Sequence, residues 1–560
     1  MEEQDTQPGG ASLEPLSAPV PPPLPADEDE PSPGHDESLG LPLRRGDTAA
    51  LLLLALLADV CLYRRWGGTG VATLLVGTLI ALVVLKGRQV AAHPYKVGLA
   101  VLALAAVLIW STWWLAVVLA FVSIFLLAVH LWRPDWSLLE SLWAMLCSII
   151  HAPVRLLGHV VAHRDASRET GRRELPAKVI VIPAVVSVLF LIIFAAANPV
   201  VARQFASLWN HITDILSRLT DYLNMGRFLF WCGWLLVFAA LIRPVVQSAI
   251  IDRIMKLDIR LEPCEVTPRI EVDFLVACVT LVCVNLVFLG YNCMDAVYLY
   301  FRVALPTGIT WTAYTHAGCG WLTFGLFLST VVLGFIFWHE LNFHTRSSLL
   351  KRLAYVWIVQ NAVLAVGTLR RISMYIDFSG LTHLLLTGVY GSLLVMAGLV
   401  IMVLKVRGNH SAVWLLRRYV AAFATGLTAL ALTPHGWVCA TYNVPRILAE
   451  KPHAMWPVCL KELRADALPP IIPLLDYRRR DGDAAKEKLV REGIAAILGQ
   501  HLVRLEQEET NPWSQWQASS WWALKHLRDA REKIYATVPP ERWAEARNRL
   551  KLDYDLSGSP

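Results

Sequence analysis

Between residues 48 and 433 the chain alternates apolar blocks with short polar connections, most of them basic. Crossing about 30 Å of hydrocarbon takes roughly 20 apolar residues in a helix, and most blocks are near that length. The pattern predicts spans at Thr48–Tyr63 and Gly70–Leu85, then an apolar run from Val97 to Trp132. That run is too long for one helix. Trp110-Ser111-Thr112-Trp113-Trp114 interrupts it, and because Trp favours the membrane–water interface the run divides there into two spans joined by a tight turn. Further spans are expected near Val179–Ala197, Phe228–Val246, Asp273–Asn292, Ala317–Trp338, Leu350–Leu369, His383–Leu404 and Val413–Leu432. The total is about eleven.

Two segments break this pattern. Ser137–His163 is apolar but carries His151, Arg155 and His159, which predicts a helix at the interface or packed on the bundle rather than crossing it. Phe205–Leu223 sets Asp214, Arg218 and Asp221 opposite an apolar face and reads as an amphipathic interfacial helix. The ends differ again. Residues 1–47 combine a proline run (Pro21-Pro22-Pro23) with Asp27-Glu28-Asp29-Glu30 and cannot bury enough apolar surface to offset the entropy of ordering. A cleavable signal peptide does not begin in this way. From Pro434 onward acids and bases mix evenly, with helical spacing at Ala484–Leu502 and Trp521–Tyr535. Its tryptophans, Trp513, Trp516, Trp521, Trp522 and Trp543, are either core filler or a face against lipid headgroups. The fold class is therefore an all-α polytopic transmembrane bundle (48–433) with interfacial helices near 137–163 and 205–223, a disordered tail (1–47) and a small helical C-terminal domain (434–560).

Composition strengthens this picture. Of 560 residues, 55% are hydrophobic and 17% charged. Soluble domains carry about 25% charged residues. With the N-terminus inside and spans alternating, the inside segments hold roughly 24 Lys and Arg against roughly 8 outside, as the positive-inside rule requires. An odd span count then puts the C-terminal domain outside. The net charge of +6 sits in short loops rather than in a basic, aromatic-rich run, so nucleic acid is excluded as a partner. The lipid bilayer and other membrane proteins are the partners expected.

Chemistry is sparse. Ionisable groups at membrane depth are functional candidates, but Asp59, Glu340, Arg370 and Arg371 all stand near span ends, where snorkelling lowers their cost. His339-Glu340-Leu341-Asn342-Phe343-His344 has its histidines five apart instead of four. That turns the second imidazole by roughly 140° from the first on a helix, so no zinc pair forms. Asn285 and Asn292 share one helical face and act as packing glue between helices. Cys61, Cys147, Cys232, Cys278, Cys283 and Cys319 lie in or beside apolar segments without a Cys-x-x-Cys pair, which is packing usage. No phosphate-binding loop, dinucleotide fingerprint or nucleophile elbow occurs. No metal and no cofactor are expected.

One ordered set of residues carries a family resemblance. Asn292–Tyr300 leads to Leu305-Pro306-x-Gly308-Ile309-Thr310-x-x-x-Tyr314-x-x-x-Gly318. Trp357-Ile358-Val359-Gln360-Asn361 follows, then Arg370, Arg371 and Tyr375, then Gly380-Leu381-Thr382, and after the last span Tyr442-Asn443-x-x-Arg446. This resembles an uncharacterised bacterial multi-pass membrane family, the domain of unknown function numbered four-one-seven-three and its relatives. The resemblance is strongest over residues 270–446. It implies a bacterial cytoplasmic membrane and no catalytic activity. With the charge count it points to a polar cluster at the outer mouth of the bundle: Tyr314, Arg370, Arg371, Tyr375, Asp377, Thr382, Asn443 and Arg446. The plainer alternative is a set of loop-fixing hydrogen bonds, with Gly380 supplying a positive φ.

Three functions are compatible with these features. The first is a scaffold, sensor or assembly factor that positions the C-terminal domain. The second is a transporter or lipid-handling protein. The third is a membrane enzyme on a lipid-linked substrate at the outer face, with Arg370, Arg371 and Tyr375 as headgroup binders and Asp377 as the only nearby carboxylate.

Overall fold

A computed structural model describes residues 45–86, 95–165, 225–246, 268–299, 328–337, 340–450 and 463–554, with a few isolated positions between them. Every described element is a helix. The bundle contains α1 (Arg45–Leu62), α2 (Gly68–Lys86), α3 (Tyr95–Trp110), α4 (Trp114–His130), α5 (Leu138–Asp165), α6 (Met225–Ile242), α7 (Pro268–Leu299), α8 (Ser347–Ser379), α9 (His383–Gly408) and α10 (Ala412–Leu432). Among the described residues six helices are long and apolar enough to cross a membrane: α2, α6, α7, α8, α9 and α10. Shorter apolar helices run over Val97–Trp110, Trp114–His130 and Leu138–Val154. The protein is an integral membrane protein. The Val97–Trp132 run does divide at the tryptophan cluster, with α3 ending at Trp110 and α4 starting at Trp114. Val179–Ala197 lies outside the described residues, as does Phe205–Leu223 apart from Asn210 and Thr213.

Helix α7 shows why water is the wrong solvent for this bundle. It buries Phe274, Ala277 and Leu281 against its neighbours yet exposes Leu275, Val279, Val282 and Leu286 on its other side. A helix apolar all round needs hydrocarbon on its free face. Helices α7 and α8 pack together through amides: Asn285 Nδ2 donates to the Leu353 carbonyl at 3.1 Å, Gln360 Nε2 donates to Asn285 Oδ1 at 2.9 Å, and Asn292 Nδ2 donates to the Gln360 carbonyl at 3.1 Å. These are the cross-helix contacts expected of Asn285 and Asn292.

Ion pairs join helices distant in sequence. Asp47 of α1 accepts from Arg243 Nε at 2.7 Å, both buried, and buried Glu140 of α5 accepts from Arg417 Nε of α10 at 2.7 Å. Asp59, expected to snorkel, is buried instead. It pairs with Arg227 and accepts from Trp231 Nε1 at 3.1 Å, so α6 neutralises it. Lys405, one position past the expected span end at Leu404, is fully buried near the end of α9, where Nζ donates to the Phe337 carbonyl. The stretch around His344 is no helix: Glu340–Asn342 is a 3-10 turn, and the buried His344 ring stacks on Phe274 at 4.0 Å. Helix α5 packs against α4, α6 and α10.

After α10 the chain forms a helical cap: α11 (His435–Leu448), turns through 465–476, α12 (Ala484–Glu508), α13 (Ala518–Asp529), α14 (Arg531–Thr537) and α15 (Trp543–Asp553). It has its own core, built from residues such as Leu468, Leu474, Ile494, Leu498, Leu527 and Leu550. The cap is fastened to the turns between α1 and α2 and between α3 and α4. Ser514 Oγ donates to the Arg65 carbonyl at 2.9 Å, and Gln517 Nε2 donates to Thr112 Oγ1 at 2.9 Å. Arg464 Nη2 donates to Ser111 Oγ and the Thr112 carbonyl, each at 2.7 Å. Contact is close enough that a Cβ on Gly67 would sit 2.5 Å from Gln515 Cα. The tryptophans separate by exposure. Trp543 is core, Trp522 lies against Trp110 of α3 at 5.8 Å, and Trp513, Trp516 and Trp521 are exposed along the cleft facing the bundle.

Candidate functional site

The residues singled out by the sequence separate into two groups. The first surrounds the turn from α8 to α9. Asn443 of α11 is buried and holds Leu381 from both sides, its Oδ1 accepting from the Leu381 N–H and its Nδ2 donating to the Leu381 carbonyl, each at 2.8 Å. Gly380 has φ +79°, and a Cβ there would approach Asn443 Oδ1 to 2.9 Å, so both conformation and space require glycine. Thr382 caps α9, its Oγ1 accepting from the Leu385 N–H at 3.3 Å. Arg446 bridges to Asp377 Oδ1 at 2.8 Å, donates to the Tyr442 hydroxyl at 2.9 Å and lies over the Tyr442 ring. Each of these side chains fixes backbone or a neighbour.

The second group leaves that turn. Arg371 is 1% exposed and points into the bundle, where it pairs with Asp295 of α7 near the Tyr291 hydroxyl. Arg370, one residue earlier on the same helix, is exposed. Tyr375 packs with the apolar residues Ile372, Leu381 and Leu385. Tyr314 lies outside the described residues. The expected cluster therefore includes a loop clamp and a separate buried ion pair. Both lie within or against helix because α7 and α8 run past the span ends read at Asn292 and Leu369. The charges that seemed to close those spans neutralise one another across the helix pair.

A different constellation was not foreseen. Where the cap meets α3 and α10, a cavity of about 320 Å³ is walled by Ala106, Val107, Ala431 and Leu432 and floored by Trp110, His435, Arg464 and Asp466. His435 opens α11 directly after α10 ends, and its ring meets Trp113 edge-on at 4.5 Å. Burial, aided by the Arg464 charge and by nearby His383, pushes its pKa down to about 4 against a backbone hydrogen bond to Thr433. The imidazole is neutral at pH 7. Asp466, 2% exposed, turns its carboxylate onto the first turn of α11, and Oδ2 accepts from the Trp437 N–H at 3.1 Å. Gly436 makes room for it, since a Cβ there would fall 2.2 Å from Asp466 Oδ1. Burial pushes this carboxyl up, opposed by the Trp437 N–H and the Arg464 charge. Sequence reading missed the site because its members come from three separate segments, 106–113, 431–435 and 464–466. The only local signal was the Trp110–Trp114 cluster.

A larger polar cleft of about 1260 Å³ separates α12 and α13 from the bundle turns and includes Trp66, His501, Arg504, Trp516 and Trp521. Among the described residues no group of three or more His, Cys, Asp or Glu is arranged to hold a metal ion.

Comparison with known proteins adds one assignment. No curated protein and no solved structure matches the chain. A family of unknown function does, over residues 97–474, from α3 to the turns that follow α11, so the 320 Å³ cavity falls wholly inside the matched region. Its number is four-one-five-three, where the residue pattern had pointed to four-one-seven-three. The chain belongs to the DUF4153 family, a domain of unknown function.

Proposed function

We propose that this protein is a membrane-embedded platform, a scaffold or assembly factor whose bundle holds the C-terminal helical cap rigidly at one membrane surface. The observation that carries this reading is the fastening of the cap: Ser514, Gln517 and Arg464 bond to two separate inter-helix turns, and Gly67 allows backbone contact. A domain merely tethered by α10 has no need of such contacts. The membrane is a bacterial cytoplasmic membrane crossed about eleven times, with tail 1–47 inside, bundle 48–433, and domain 434–560 outside. Charge supports this orientation. Arg133, Arg243, Arg346, Lys351, Arg407 and Arg418 gather at the helix ends opposite the cap, where the positive-inside rule puts the cytoplasm. Its partners are the bilayer and other membrane proteins that meet the cap.

The test uses Gly67→Val, which forces the cap off the α1–α2 turn without altering the apolar spans. The variant is expected to insert at wild-type levels, to show faster proteolysis within 463–554, and to fail to restore whatever phenotype follows loss of the gene. Full complementation by a demonstrably undocked cap sinks the platform reading.

A further inference from the structure

The 1260 Å³ cleft between cap and bundle is lined by four tryptophans that the fold leaves about half exposed. Trp66, in the α1–α2 turn, is 53% exposed, and Trp513, Trp516 and Trp521 of the cap are 48%, 47% and 53% exposed. Side chains of this size usually dominate a core or an interface. These four are instead set on both sides of one concavity, and their backbones are tied down. The Trp516 carbonyl accepts from Thr69 Oγ1, and Ser514, between Trp513 and Trp516, is bonded to the Arg65 carbonyl next to Trp66. The same junction brings Gly67 against Gln515. The aromatic surfaces are therefore positioned before any ligand arrives, which lowers the entropic cost of binding.

The charges of the cleft are already committed. Arg504 Nε donates to Glu508 at 3.0 Å, Glu509 accepts from Arg528 at 3.1 Å, and Arg547 Nη1 donates to Gln500 at 2.8 Å. Arg464 is bonded to Ser111 and Thr112. A single-stranded nucleic acid needs a positive groove beside its stacking platforms, and a phosphate needs a cation to pair with. This lining favours neither. It sets indole surface beside amide and hydroxyl side chains such as Asn511 and Ser520. A sugar ring has the matching composition. Its C–H face packs on an indole, whose π face is negative, and its rim of hydroxyls donates and accepts as amides do. We propose that this cleft binds an uncharged saccharide chain, with sugar rings packed on Trp66, Trp513 and Trp516. Trp521 is the weakest platform, because Lys525 Nζ already lies over its ring at 5.9 Å. Small-molecule pockets measure about 300–1,000 Å³, so the cleft has room for several sugar units. The chain is either a free glycan or the sugar head of a glycolipid. The assignment goes beyond the platform reading and does not depend on it, since the lining is the same whichever side the cap faces.

The test is native mass spectrometry of the full-length protein in detergent, titrated separately with cellohexaose, maltohexaose and diglucosyl dioleoylglycerol. Dioleoylglycerol, phosphatidylglycerol and a proline decapeptide serve as comparisons. Saturable binding of at least one sugar ligand is expected, weakened roughly threefold to tenfold by Trp513→Ala or Trp516→Ala. Trp513→Phe, which keeps a ring, should retain most of the affinity. Trp114→Ala removes a tryptophan that is 69% exposed and lies outside the cleft, and should change nothing. Binding of a hexaose assigns a free glycan, and binding of the glycolipid alone assigns its sugar head. Glycolipid binding matched by dioleoylglycerol, with no hexaose bound, overturns the proposal, because the acyl chains would then account for it. So does phosphatidylglycerol or the proline peptide binding more tightly than every sugar ligand. Wild-type affinity in a folded Trp513→Ala, Trp516→Ala double variant, or no sugar ligand bound at all, also overturns it.

Discussion

Asn443 satisfies both the N–H and the carbonyl of Leu381 at a buried turn. Asn443→Ala leaves two backbone groups bare and should lower stability by about 2–4 kcal/mol, read by chemical unfolding in detergent. A loss below about 0.5 kcal/mol, the low end for a single hydrogen bond, means the clamp is unimportant. His435 makes a second prediction, with a definite sign. Its folded pKa of about 4 lies below the ordinary value of 6.5. Between those values the unfolded chain binds the proton more readily, so the site loses stability as pH falls from about 6.5 toward 4. Asp466 opposes this, because its raised pKa makes protonation on acidification favour the fold. His435→Phe should therefore flatten the acid side of the stability profile, and an unchanged slope refutes this role for the imidazole. Neither residue was legible in the sequence as a titrating group. Only the approach of the cap buries them.

At the scale of elements, the buried Arg371–Asp295 pair explains why α7 and α8 continue beyond their apolar runs. Hydropathy closes a span at the first charge. It has no means of knowing that a second charge on the neighbouring helix will cancel it. Breaking such a pair from one side typically costs about 3–5 kcal/mol, and replacing both members with apolar groups often costs little. Arg371→Met should accordingly be severe. Combining it with Asp295→Leu should recover most of the loss, and a double variant no better than the single one shows that Arg371 serves something other than the pair. The amide contacts of Asn285 and Asn292 were legible because seven-residue spacing fixes a shared face on one helix. Their partners on α8 were not, since spacing carries no register between helices.

For the whole molecule, cap and basic helix ends lie at opposite ends of the bundle. With the positive-inside rule this predicts that a reporter fused after residue 554 is active only outside the cytoplasm, while one fused to the N-terminal tail is active only inside. A cytoplasmic signal at the C-terminus reverses the orientation while leaving the cavity intact. The cap also decides what the tryptophans do. Composition allowed either core or lipid interface; the fold puts Trp543 in the core and leaves Trp513, Trp516 and Trp521 exposed along the cleft facing the bundle.

The sequence by itself determined the solvent: apolar blocks of bilayer length, the break at Trp110–Trp114, the charge bias and the turn glycine at Gly380 follow from local rules that need no third dimension. The tertiary structure decided which charges are neutralised and which residues line a common cavity. Asp59 with Arg227, Asp295 with Arg371, and Trp110 with His435 are separated by 168, 76 and 325 positions. Hydropathy and helical period are properties of one segment, whereas neutralising a buried charge or lining a shared cavity requires two segments to meet.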